Sequence, residues 1–233
     1  MTRTIVIKAS DVAAIIGRNP YKDREEIKNE LLKKYWNIGE TKNEKAQRTI
    51  NETGFELKIS PTLNPENDFQ ESKLKIDSDE KLSQIQKHEI TEFVRTKIYT
   101  GHGIRTEDIT SDRFANDENV ILKKDETFYR ISICEFDEFD FEIVGRVDRI
   151  QECEDGSKIL VEIKNRTKRL FRKVPEYENV QVQVYLQMLN LQKARLVEQY
   201  SGQIMSHDIC RDDNDWKKIM SSLEDFCHNV VPV

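Results

Sequence analysis

The spacing of apolar residues changes along the chain, and the change sorts it into a helical half followed by a strand-rich one. A short opening strand is predicted from Thr4 to Ile7, and Ser10 is placed to cap a helix through Ala14 and Ile15 that stops at Gly17. After a turn at Asn19-Pro20, Ile27, Leu31, Leu32 and Tyr35 form the stripe of a helix from Asp23 to Trp36, with Asp23 and Glu26 at capping-box spacing. Between Gly39 and Asp79 the pattern weakens. Lys42 to Gly54 fits a helix, while Pro61 and Pro65 argue for a loop. Helical spacing returns at Leu82, Ile85, Phe93 and Ile98 and resumes after Gly101 and Gly103 with Ile104, Ile109 and Phe114, which predicts two helices meeting at a glycine joint.

After Asn116 the period falls toward two, giving four predicted strands: Val120 to Lys123, Phe128 to Cys134, Phe141 to Ile150 and Lys158 to Lys164. A helix from Tyr177 to Leu191, a strand pair within Arg195 to Ile209 and a last helix from Asp213 to Phe226 complete the reading. The expected fold is α/β, a mixed central sheet flanked by helices. One domain spans residues 1–233, with a mainly helical part and a variable insertion over 1–100 and a strand-rich core over 101–233.

Composition narrows the function. With 37 basic and 43 acidic side chains the net charge is −6, so an overall basic surface is not what would attract a polyanion. Its distribution is uneven, because Lys164, Arg166, Lys168, Arg169, Arg172 and Lys173 crowd one short segment. Cys134, Cys153, Cys210 and Cys227 are dispersed, without the CxxC grouping of a zinc site, and are expected as reduced thiols. No apolar run is long enough to span a bilayer and no secretory leader is visible, so a soluble intracellular protein of the cytoplasm or nucleus, without membrane partners, is expected.

The stretch that carries chemistry is Gly145-Arg146-Val147-Asp148, then Val161-Glu162-Ile163-Lys164, then Gln181-Val182-Gln183-Val184-Tyr185. Asp155-Gly156 is a hairpin signal between the first two, so Asp148 and Glu162 can converge. Glu162 and Lys164 lie two apart on a strand and share a face, while Val161 and Ile163 enter the opposite apolar layer. Oxygen-rich donor sets of this type suit Mg²⁺. The acid-x-Lys pattern alone is uninformative, because it begins at seven positions in this charged chain. Only the copy at Glu162 has the flanking strand, acid and glutamine-bearing helix.

This arrangement resembles the PD-(D/E)XK nuclease superfamily, with Val147 where the family name puts proline, and within it the YqaJ-like viral recombinase group that includes phage lambda exonuclease. Gly103-Ile104-Arg105-Thr106-Glu107 resembles the G-x-x-x-E helix of that group, and Ala9-Ser10-Asp11-Val12 its amino-terminal A-S-[DE]-[VI]. The likeness touches Arg3 to Pro20 and Gly103 to Met188 and leaves Lys22 to Thr100 unmatched.

The resemblance implies a metal set of Glu107, Asp148, Glu162 and Ile163, the last through its backbone, with Lys164 and Gln183 as further catalytic residues. Gln181 and Tyr185 fit an alternative Q-x-x-x-Y register. Arg3 and Ser10 correspond to family residues that hold a terminal 5′-phosphate, and Arg18, Arg166, Lys168, Arg169 and Tyr185 are further candidate DNA contacts. Mg²⁺, replaceable by Mn²⁺, is the implied cofactor. No iron–sulfur cluster is expected from dispersed cysteines. The implied activity is exonucleolytic cleavage at duplex ends, 5′ to 3′, in recombination or repair of viral type. A structure-specific endonuclease and a noncatalytic binding module are the alternatives. A single-strand-annealing protein and a trimeric ring are the implied partner and assembly.

Overall fold

The structure is a computed structural model and describes residues 2–59 and 61–232. Its strands are β1 (Arg3–Lys8), β2 (Ile121–Lys124), β3 (Tyr129–Phe136), β4 (Phe139–Gly145), β5 (Arg149–Glu152), β6 (Lys158–Asn165), β7 (Lys193–Tyr200) and β8 (Gln203–Cys210). Its helices are α1 (Val12–Ile15), α2 (Arg24–Trp36), α3 (Lys42–Thr53), α4 (Pro65–Ser78), α5 (Gln84–Glu118), α6 (Glu176–Met188) and α7 (Asp213–Val230). This is the mixed α/β architecture expected, but its strands divide into two sheets. One has the order β1-β4-β3 and the other β2-β5-β6-β7-β8, and each mixes parallel and antiparallel pairs.

The expected strand from Phe141 to Ile150 is therefore two strands. Arg146, Val147 and Asp148 leave the first sheet after Gly145, and the chain enters the second at Arg149. Asp148 thus sits at the crossover between sheets. Alternation along β6 serves both faces of the larger sheet: Val161 and Ile163 pack with Phe114 of α5, while Leu160 joins the main core with Val180, Val182 and Leu186 of α6.

Two further expectations are corrected in the helical half. The segment around Pro65 is the helix α4, with Asn64 accepting from the Asn67 N–H and Pro65 in the first turn, where its missing N–H costs no intrahelical bond. The glycine joint is absent, since α5 runs unbroken for 35 residues. Glycine costs about 1 kcal/mol per helical position against alanine, which tertiary packing on both sides outweighs. The amino-terminal half of α5 closes a separate small core with Ala46 and Ile50 of α3 and Phe69 and Ile76 of α4. The boundary drawn near residue 100 consequently falls inside one helix.

Start and stop signals fare better. Asp23 caps α2 by accepting from the Glu26 N–H at 2.8 Å, and Gly17 closes the first helical turn with φ +74°. Ser10 does not cap. It lies within the 3-10 turn Ala9–Asp11 that follows β1 directly, and no side-chain cap bond forms there.

Candidate active site

Asp148 reaches β6 across a gap in the ladder. Strand β5 pairs with β6 only from Arg149 opposite Val161, so it ends before Ile163. The Asp148 Oδ2 takes the vacant place and accepts the Ile163 N–H at 2.8 Å. Within a strand the N–H and C=O of one residue point to the same edge, so the Ile163 carbonyl faces this gap as well.

Glu162 is 3% exposed, and its Oε1 accepts from the Lys164 ammonium at 2.7 Å. The other oxygen, Oε2, is buried without a hydrogen-bond partner. Such an oxygen normally finds one, so its vacancy fits a ligand to a cation. Burial and the neighbouring Glu162 push the Asp148 carboxyl up to about 8, against the pull of Lys164. Burial works against charge on Lys164, yet the carboxylates of Glu162, Asp148 and Glu178 raise its pKa above the ordinary amine range. Two carboxyl groups against one ammonium leave this cluster short of positive charge.

Helix α6 supplies the far wall. Gln181 Oε1 accepts from Lys164 at 3.3 Å, and Gln181 Nε2 donates to the Tyr185 hydroxyl at 3.2 Å one turn later. The Tyr185 ring needs Gly145 opposite it: a Cβ there would lie 2.4 Å from ring atom Cε1. The Q-x-x-x-Y register is the one that faces the site. Gln183 is turned away, donating to the Cys210 carbonyl at 2.9 Å and accepting from the Asp212 N–H at 2.8 Å. Two helical positions are about 200° apart, so Gln181 and Gln183 cannot share a face.

Glu107 comes from α5 and is held by Arg149 at 2.8 Å. The same guanidinium is 4% exposed for its residue and also binds Asp108, donates to Ser111 Oγ at 2.9 Å and donates to the Asp148 carbonyl at 2.5 Å. Arg149 thus ties α5 to the backbone of the crossover. Sequence reading missed it, since Arg149 opens the short polar strand Arg149-Ile150-Gln151-Glu152 and nothing local marks it. Among the described residues, no three His, Cys, Asp or Glu side chains form a ready metal cage. The donors that fit a cation are Asp148, Glu162 and the Ile163 carbonyl, with Glu107 nearby but paired.

Several expected DNA contacts are engaged elsewhere. Arg166 bonds Glu178 at 2.7 Å and Glu198 at 3.0 Å and lies 4.0 Å from the centre of the Phe171 ring, so it is a structural strut. Arg18 donates to Asp215 at 2.8 Å, and Tyr185 is buried under Gly145. Arg3 donates to the Tyr35 carbonyl and stacks over Trp36. It stands at the start of β1, and Ser10 follows the far end of that strand. Ser10 and Arg169 are exposed, and Lys168 is exposed beside Glu66 at 3.6 Å.

All four cysteines are free thiols. No helix among the described residues is long and apolar enough to cross a membrane.

Comparison with known proteins agrees with the fold. The alkaline exonuclease LHK-Exo from Laribacter hongkongensis is similar at TM-score 0.54 and 14% identity, over 96% of this chain and 87% of that one. A second structure, LHK-Exo in complex with dAMP, aligns at TM-score 0.54 and 15% identity over 96% and 87%. A phage-related exonuclease from Haemophilus somnus 129PT aligns over 97% of this chain and 94% of its own, with 14% identity and TM-score 0.45. No curated protein matches the sequence significantly. The chain shares its fold with that alkaline exonuclease. The sequence pattern of the YqaJ-like viral recombinase domain matches residues 1–205, and the chain belongs to that family.

Proposed function

We propose that the protein is a divalent-metal-dependent DNA exonuclease that degrades duplex ends to supply strands for recombination. The observation carrying this reading is the junction of Asp148 with β6, which gathers two carboxylates, a backbone carbonyl and one ammonium around an unpartnered carboxylate oxygen. Asp148, Glu162 and the Ile163 carbonyl would hold the ion, of which Mg²⁺ is the proposed species. When bound, it supplies Lewis acidity at the scissile phosphate and acidifies the attacking water.

The chain's own groups do the rest. Lys164, kept protonated by its carboxylate neighbours, offsets charge developing on the phosphate oxygens. Gln181 fixes the direction of that amine, and Tyr185 fixes Gln181. Arg149 holds the crossover carrying Asp148 against α5.

Linear duplexes labelled at either end and a covalently closed circle, incubated with Mg²⁺, Mn²⁺ or chelator, test the reading. Metal-dependent loss of linear DNA with the circle intact supports it. Cleavage of the circle favours the endonuclease, and no cleavage of any DNA rejects both. The proposed 5′ to 3′ direction rests on Arg3 and Ser10, and faster loss from 5′-phosphorylated ends is its expected sign.

A further inference from the structure

The link between β6 and α6, residues 166–175, is long for a strand-to-helix connection, which usually takes about 2–6 residues. It carries Lys168, Arg169, Arg172 and Lys173, all exposed. Among the described residues, no backbone N–H from 167 to 174 bonds a backbone carbonyl. Left to itself, such a segment has no fixed course, and neither have its cations.

One side chain of the neighbouring strand holds it. Glu198 of β7 is 0% exposed; its Oε2 accepts the Phe171 N–H at 2.8 Å and its Oε1 the Arg172 N–H at 2.7 Å. Arg166 Nε donates to Oε2 at 3.0 Å, and His207 Nε2 donates to Oε1 at 3.1 Å, since an ionised carboxylate only accepts. Burial works against charge on Glu198, yet the Phe171 amide, His207, the Arg172 amide and Arg166 hold its carboxyl below the usual carboxylate range. Arg172 has φ +58°, a left-handed conformation that residues other than glycine adopt at a cost. The charge-assisted bond to its N–H offsets that cost.

Stability alone does not account for this acid. A fully buried charge is no more stabilising than a well-packed apolar side chain of similar size, and Arg166 already has Glu178 at 2.7 Å. Its place in the sheet suggests another use. Glu198 stands in register with Lys164 of the parallel neighbour β6, about 4.8 Å away between strands, so the loop is fastened beside the amine of the proposed site.

We infer that Glu198 is the positioning residue of the basic loop, fastening it so that Lys168 and Arg169 meet DNA phosphates from a fixed place next to Lys164. The inference rests on the nuclease reading for its substrate. Cations held in place bind without first ordering the loop, so the anchor acts on affinity and leaves the chemistry to Asp148, Glu162 and Lys164.

Glu198→Gln in the full chain tests it, because the variant keeps the shape of the side chain and leaves Arg166 its Glu178 partner. In chelator, duplex DNA should bind about tenfold more weakly, and the slope of log affinity against log salt should fall by about 2. Charge alone predicts the opposite sign, since removing an acidic group tightens binding to a polyanion. With Mg²⁺ and linear duplex, KM should rise about tenfold while kcat stays within about twofold. Lys168→Ala combined with Arg169→Ala should weaken binding by the parent chain to a similar degree and add nothing in the Glu198→Gln background, whereas a merely structural role would leave the effects additive. Amide exchange at Phe171 and Arg172, measured without DNA, should quicken.

Glu198→Asp keeps the charge near Arg166 but withdraws it from the loop by one methylene. It should show the same losses, and it carries the test where Glu198→Gln does not fold. Unchanged or tighter DNA binding, additive effects, unaltered exchange at the two amides, or a Glu198→Asp chain that does not fold overturns the inference. If binding follows the expected pattern and the parent chain cuts no DNA, the nuclease reading alone fails. If DNA is cut with one KM in parent and variants, this inference alone fails.

Discussion

The Asp148 carboxylate completes the backbone hydrogen bonding of Ile163 at 2.8 Å, so a ligand of the proposed ion is also a structural element of the sheet. The Glu162–Lys164 pair stands beside it on the same strand. Geometry and charge are therefore set by the same few atoms.

Asp148 gives a pH signature. Its folded pKa, near 8, exceeds that of the unfolded chain, so the native state binds the extra proton and stability falls as pH rises from about 4 to about 8. In chelator, urea unfolding across this range should show that decline, and Asp148→Asn should flatten it. The same variant, keeping an oxygen to accept from Ile163, should fold and lose at least about 10²-fold in nuclease rate.

Lys164 and Glu162 separate stability from activity. Removing the amine alone leaves a buried carboxylate short of its partner, and breaking a buried pair in this way costs about 3–5 kcal/mol. Lys164→Met should lower the unfolding free energy toward that extent, and adding Glu162→Leu should restore much of it. Neither variant should cut DNA, since the double change restores packing and no chemistry.

The two glutamines of α6 should behave oppositely. Gln181→Ala should reduce the cleavage rate and cost less stability than Gln183→Ala, because Gln181 bonds the side chains of Lys164 and Tyr185 and no backbone group. Gln183→Ala should cost about 1–3 kcal/mol by stranding the Cys210 carbonyl and the Asp212 N–H. Its rate per folded molecule should be unchanged. A rate loss confined to Gln183→Ala would reverse the register assigned here.

The basic segment divides in the same manner. Arg166→Met should destabilise the fold, because Glu178 and Glu198 are both buried around that guanidinium. Arg169→Ala should leave stability unchanged and reduce the slope of log affinity against log salt by about 1, measured on duplex DNA in chelator. An unaltered slope would remove Arg169 from the DNA path.

What the sequence disclosed was local. Asp148, Glu162 and Lys164 were legible because a hairpin turn and a two-residue strand period bring them together within 17 positions. Arg149 and Glu107 were not read as partners, since 42 positions separate them and nothing local records that contact. Pro65 was read as a breaker because a first-turn proline and a loop proline look alike until the capping Asn64 is seen to accept from Asn67. Gln183 misled because the periodicity of a helix buried on most sides does not say which polar residue faces which neighbour.

The unbroken course of α5 has a mechanical consequence. At about 1.5 Å per residue it is a rod of roughly 50 Å whose first half is clamped by α3 and α4 and whose second half carries His102 and Glu107. A displacement of the small core formed with α3 and α4 would be passed along one continuous element to Glu107, with Gly101 and Gly103 the weakest points of the rod.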